Sequence, residues 1–230
     1  MSSVGMVLPD DLGGFTLKET IHFIGLADDI GLHSVWKQEA SGSNGLMTLA
    51  AGARESEDIR LGIGVANIFS RTPTLLGMSA ATLDRLSGGR ALFGLGVSSR
   101  PVIETWHGQE FERPLRRLRE SIEIVREVTE GGTVHYEGEI FEVGPYSMAL
   151  DSEGVPIYNG AMGPLNRQLT AEFCDGWIPG LVSIDHLAQL HEEMIENADK
   201  ADREPPTVAP WVPTAVDEDP EHAMRRVQQL

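Results

Sequence analysis

The chain has 230 residues, 35 acidic against 18 basic side chains and a formal charge of −17. That charge repels phosphate backbones and argues against nucleic-acid binding, and no run approaches the roughly 18 apolar residues of a membrane span. The N-terminus lacks the basic head and apolar core of a secretion signal, so a cytoplasmic protein without membrane attachment is expected.

In chain order, "VGMVL" at 4–8 begins as a strand. Residues 17–31 repeat Ile21, Ile24, Ala27 and Ile30 at helical spacing and end on Gly31, which suits the position after a last turn. A strand at 33–37 and a helix at 46–54 follow, then a strand at 60–67 and a helix at 73–86. Pro73 fits the first turn of that helix, where no N–H is needed. Next come a strand at 91–97 and a helix at 114–130, which Pro114 opens. The segment 132–143, "GTVHYEGEIFEV", has β-branched and aromatic residues on both sides of Glu137-Gly138 and is expected to form an inserted hairpin turning there. Strands at 155–161, 176–180 and 207–215 alternate with helices at 165–174 and 184–201, and a last helix begins at about Pro220.

This alternation predicts one α/β domain over 1–230, either an open doubly wound sheet or most of a (β/α)8 barrel. Seven strands precede the last helix, so a barrel would stop short of its eighth strand, as an abbreviated protein or as part of a longer chain. "LSGGRALFGLGVSS" is a poor dinucleotide loop: it follows the fourth strand, Ser99 replaces the third glycine, and Pro101 comes next. Its glycines, Gly94 and Gly96, either open room for a flat ring at a strand end or relieve crowding between strands. Ser98 and Ser99 offer donors beside them.

The histidines are scattered without metal-binding spacing. The one cysteine, Cys174, lies among apolar residues and is expected to be buried and inert. Arg113, Arg116, Arg117 and Arg119 interleave with Glu112, Glu120 and Glu123 as a solvated, salt-bridged helix face would. Lysine occurs only at 18, 37 and 200, with acids spread over most of the expected helices, a pattern that suits a protein adapted to high salt.

"SRTPTLLGMSAATLDRLSGGRALFGLGVSS" and "VIETWHGQEFERPLRRLRESIEIVRE", with "IRLGIGVANIFSRTP", "VHYEGEIFEV" and "VPIYNGAMGP" in the same order, resemble the bacterial-luciferase-like flavin and deazaflavin oxidoreductases. The resemblance is to the coenzyme F420 branch in particular. It implies a (β/α)8 barrel, commonly dimeric, that binds F420, or alternatively FMN, at its C-terminal mouth. The implied reaction is hydride transfer with a small-molecule substrate, and similarity to methylenetetrahydromethanopterin reductases points to a pterin-bound one-carbon unit. The alternatives are an FMN-dependent monooxygenase and a flavin-binding or dimerising protein without turnover.

The same resemblance implies a bulge with a non-prolyl cis peptide near Val65-Ala66, so that Ala66 and Asn67 would meet the cofactor ring. Asn67 could equally cap its own loop. Gly96, Val97, Ser98 and Ser99 would border the ring. Ala161, Met162, Gly163 and Pro164 enter a helix whose first N–H groups suit a phosphate. Glu39 is the candidate for orienting substrate or moving a proton. Relatives often carry a histidine near Glu39, and its absence here makes luciferase-type oxygen chemistry doubtful. Trp106 and His107 are the candidate substrate contacts.

Overall fold

In the computed structural model, which describes residues 3–9 and 14–228, the strands are β1 (Gly5–Val7), β2 (Ser34–Lys37), β3 (Arg60–Asn67), β4 (Ala91–Gly96), β5 (Thr133–Glu137), β6 (Glu142–Ser147), β7 (Ile157–Asn159), β8 (Gly176–Trp177) and β9 (Thr207–Val208). Seven of them form one parallel sheet in the order β1-β2-β3-β4-β7-β8-β9. The helices are α1 (Leu17–Asp29), α2 (Gly45–Gly52), α3 (Pro73–Ser87), α4 (Pro114–Glu130), α5 (Pro164–Phe173), α6 (Ile184–Lys200) and α7 (Pro220–Val227). The seven expected sheet strands appear in chain order. Three of them, β7, β8 and β9, are shorter than expected because Pro156, Pro179 and Pro210 interrupt the ladder where an N–H would be required.

The sheet curls into an open (β/α) barrel. Trp36 on β2 meets Tyr158 on β7 with ring centres 5.2 Å apart, although two strands lie between them and neighbouring strands stand about 4.8 Å apart. Only a curved sheet closes that gap. Glycines make the room: a Cβ at Gly62 would fall 2.4 Å from the Trp36 ring, and one at Gly176 2.0 Å from that of Tyr158. Leu92, Ile178, Val65 and Trp211 complete this inner cluster. On the outer face Val35, Leu61, Ile63 and Phe93 pack against Ile24, Leu76, Leu118 and Ile122 of the helices. Cys174 is buried in that outer core, and burial pushes its thiol up to about 12, as an inert structural cysteine requires.

Local chemistry sets the element ends. Thr16 and Glu19 close a capping box on α1, Asn44 caps α2 through the N–H of Met47, and Gly88 takes the left-handed conformation that ends α3.

The hairpin β5-β6 lies between α4 and β7 as expected, but its turn extends beyond Glu137-Gly138. Glu137 is still in β5, and the loop spans 138–141, with the Gly138 N–H donating to the Phe141 carbonyl at 2.8 Å. Gly138 serves a different purpose: its missing Cβ would fall 2.4 Å from an oxygen of Glu120. That carboxylate is buried and accepts the backbone N–H groups of Glu139, Ile140 and Phe141, each at 3.0 Å. The charged face of α4 is therefore only partly solvated. Arg119 and Glu123 pair along the helix, whereas Arg113 and Arg116 reach across to Glu139.

Candidate functional site

All seven sheet strands run parallel, so their C-terminal ends and following loops gather on one face, where catalytic barrels keep their chemistry. On β3 the register shifts between Ile63 and Ala66. The cis peptide is Gly64-Val65, one residue earlier than expected. Val65 joins the inner cluster, while Ala66 packs into the outer core, so a ligand at the mouth can meet only the Ala66 backbone.

The room left by the β4 glycines is already taken. A Cβ at Gly94 would stand 2.2 Å from the carbonyl oxygen of Ile63, and one at Gly96 2.3 Å from a methyl of Val65. Of the two expected uses, relief of crowding by the β3 bulge accounts for both glycines.

A cleft of about 290 Å³ opens between the loops after β2, β3 and β4. Glu39, Asn67 and His107, named from the sequence, all line it, with Asn44, Ser70 and Arg71 beside them. Both carboxylate oxygens of Glu39 are engaged by Arg71, and one also accepts the Gly45 N–H at 3.0 Å. Glu39 is thus held as the acidic half of an ion pair. Asn67 Oδ1 accepts the N–H of Phe69 at 2.8 Å, the loop cap weighed above, in a residue that also faces the cleft. Arg71 and Asn44 join the residues expected from the sequence; Arg71 is signalled by a guanidinium shortly after the predicted strand at 60–67, and Asn44 by an amide just before the predicted helix at 46–54.

After β4 the chain leaves through Val97, Ser98 and Ser99. Ser98 adopts a positive φ of 59°, and the Ser99 carbonyl accepts the N–H of Ile103 at 3.0 Å. A π-helical turn, Val102–Trp106, then occupies part of what was expected to be loop. Its wide ring is closed by the His107 N–H donating to the Val102 carbonyl at 3.3 Å. This turn brings His107 into the cleft and leaves Trp106 60% exposed outside it, so Trp106 is no packing anchor.

On the far side of β4, Gly163 caps α5 with no side-chain hydrogen bond and Pro164 takes the first turn, which leaves first-turn N–H groups facing the mouth. Ala161 is buried, and its carbonyl accepts the Trp177 indole N–H at 2.8 Å. Met162 is exposed. Its carbonyl accepts from Arg167 at 2.6 Å, and its sulfur accepts the Gly180 N–H at 3.2 Å.

Among the described residues no group of three His, Cys, Asp or Glu side chains is placed to hold a metal. A wider hollow of about 490 Å³ around Asp28, Arg54 and Glu57 lies at the opposite face, beside the start of β3. It is shallow and polar, and it lies away from the C-terminal strand ends.

The luciferase-like monooxygenase family model matches residues 3–230. A Mycobacterium tuberculosis protein provisionally named as a coenzyme F420-dependent oxidoreductase is 38% identical over 192 residues, which are 75% of this chain and 54% of that protein. The 5,10-methylenetetrahydromethanopterin reductase of Archaeoglobus fulgidus is 36% identical over 159 residues, 69% of this chain and 48% of the reductase. Among solved structures, the coenzyme F420-dependent tetrahydromethanopterin reductase of Methanopyrus kandleri superposes with a TM-score of 0.89 at 26% identity, covering 98% of this chain and 70% of that one. The chain spans about half the length of these two curated relatives. With the fold, the strand-end geometry and a family match along nearly its whole length in agreement, the chain belongs to the luciferase-like monooxygenase family.

Proposed function

We propose that this chain carries the cofactor and substrate face of an oxidoreductase that moves a hydride between coenzyme F420 and a small organic substrate. The observation that carries the reading is the pairing of two features on one mouth: a polar cleft at β2 to β4 and an uncapped helix start at α5. The names of the relatives support the deazaflavin over other cofactors.

The residues present fit such a group. The first turn of α5, entered through Ala161, Met162, Gly163 and Pro164, presents donors to a phosphate. A Cβ at Gly163 would meet nothing within 4 Å, so the cap itself is open to solvent. Val65, raised on the β3 bulge, forms a floor between β3 and β4, and the backbone of Ala66 and the strand end from Gly96 to Ser99 border it. When bound, the deazaflavin supplies a two-electron hydride donor or acceptor. Glu39, Asn67, Arg71 and His107 then orient the substrate in the cleft, and Trp106, exposed outside it, would meet only the part of a substrate that projects beyond it. The names of the reductases suggest a pterin-bound one-carbon unit as substrate.

A second copy of the chain fits as partner. Leu75, Met78 and Leu86 are exposed on α3, and Met47 on α2, a surface of the kind that homodimers cover.

The test is a side-by-side titration with F420 and FMN in high salt, followed by cofactor fluorescence and tryptophan quenching. Selective binding of F420 is expected. Preference for FMN with oxygen uptake would replace this reading by a monooxygenase, and F420 binding without hydride transfer by a non-catalytic binder.

A further inference from the structure

Arg117 on α4 lies between two aromatic rings from distant parts of the chain. Its guanidinium carbon is 4.9 Å from the ring centre of Phe69, in the loop after β3, and 5.0 Å from that of Phe141, at the end of the hairpin loop. Phe69 in turn stacks on Phe111 at 5.2 Å with 27° between the rings, and Arg100 lies 5.2 Å from the centre of Phe111. The Arg117 Nε is buried and finds no hydrogen-bond partner among the described residues. Aromatic faces on two sides hold this cation, a contact a guanidinium makes better than an ammonium.

Both ends of the stack are anchored. One turn along α4, Glu120 grips the hairpin loop through the N–H groups of Glu139, Ile140 and Phe141. At the other end the N–H of Phe69 is bound by Asn67, which lines the cleft with Glu39 and His107. The hairpin itself gives no residue to the cleft.

We propose that Arg117 is a positioning residue that joins the hairpin to the Asn67 loop, so that the shape of the cleft is set partly by a hairpin that never touches it. The coupling runs through packed side chains in continuous contact. It concerns the chain's own geometry and stands whichever cofactor the mouth takes.

Amide hydrogen exchange on the whole chain tests it, because exchange reports local opening segment by segment. Two variants separate the roles. Glu120→Gln weakens the grip on the hairpin loop and removes the negative charge near Arg117, and Arg117→Lys keeps the positive charge but loses the guanidinium. In both, exchange at 138–141 and at 67–71 is expected to quicken together, by about tenfold at the hairpin, while α1 and β2 stay at the wild-type rate. The binding midpoint for F420 or FMN, whichever the wild type binds, should also rise in Arg117→Lys with the unfolding midpoint held. If Arg117→Lys does not fold, Phe141→Leu removes one face of the stack and carries the same expectation. Faster exchange confined to 138–141, with 67–71 unchanged, would overturn the proposal. So would a uniform acceleration across the chain, which would reduce Arg117 to a general stability residue.

Discussion

Glu39 and Arg71, 32 residues apart in sequence, meet as a two-point ion pair in which each carboxylate oxygen takes its own guanidinium nitrogen, at 2.5 and 2.8 Å. Their side chains are only 13% and 15% exposed, so either charge left alone would be poorly solvated. Arg71→Lys, which cannot form the fork, is expected to lower stability by about 1–2 kcal/mol. Glu39→Ala or Arg71→Ala should lower it by about 2–4 kcal/mol, and the double variant by less than the sum of the two. Urea unfolding of the four variants against the wild type checks this; strictly additive losses would mean the pair is not coupled.

The β4 glycines yield a matched pair of substitutions. Gly94→Ala sets a methyl 2.2 Å from a backbone carbonyl that cannot swing aside, and should destabilise the fold by about 1–3 kcal/mol. Gly163→Ala meets nothing within 4 Å, so its unfolding midpoint should match the wild type. An unaffected Gly94→Ala would mean that the β3 bulge yields easily.

How legible this was from sequence depends on the range of each cause. The order of strands and helices is legible because local punctuation marks it, as Pro73 and Pro114 do in opening α3 and α4; the ends of β7, β8 and β9 are not, because the apolar runs that announce them continue through Pro156, Pro179 and Pro210. The full extent of the hairpin turn, 138–141, is not legible in Glu137-Gly138 because the loop is shaped by Glu120, on another element. Glu120 and Arg117 were read as a wet helix face because a charge pattern is the same whether a helix faces water or a hairpin. Glu39, Asn67 and His107 could each be named from a strand end. That they share one cleft, and that Arg71 closes on Glu39, follows from how three loops converge. The π-helical turn escaped because its hydrogen bonds skip a residue relative to the ordinary helical period.

Acid should act through Asp28, at the end of α1. Burial tends to raise its pKa, but backbone donors from Glu57, Ile59 and Asp58 outweigh that, with Arg90 helping, and hold it below the ordinary 3.8. A carboxyl lowered on folding stabilises the folded state above its unfolded value and loses that contribution as pH falls through the folded one. Stability should therefore drop below about pH 4. Asp28→Asn should be less stable at neutral pH and show a shallower acid limb in denaturant melts across pH; an unchanged limb would remove Asp28 as a cause.

The stripe on α3 makes an assembly prediction. Met78→Glu places a charge on the α3 face that exposes Leu75 and Leu86 and should convert a dimer to monomer in sedimentation equilibrium without lowering the helix signal in circular dichroism. A wild-type monomer at micromolar concentration would refute this surface as an interface.

Salt is the last lever. With 35 acidic and 18 basic residues, self-repulsion weakens as the Debye length shrinks from about 10 Å to about 3 Å. The melting temperature should climb from low to molar potassium chloride, and a flat profile would show that the charges are already balanced locally.

Val65 reaches toward the empty positions of two other strands, Gly96 on β4 and Gly160 after β7. Space at the mouth is therefore a quantity shared among three strands. Trimming Val65 to alanine would let residue 96 carry a methyl in its place, relocating the wall by one strand while the backbone stays put. Two compensating exchanges of this kind would remodel the floor of the mouth with no loop rebuilt, a short route by which chains of one architecture can come to hold differently shaped rings.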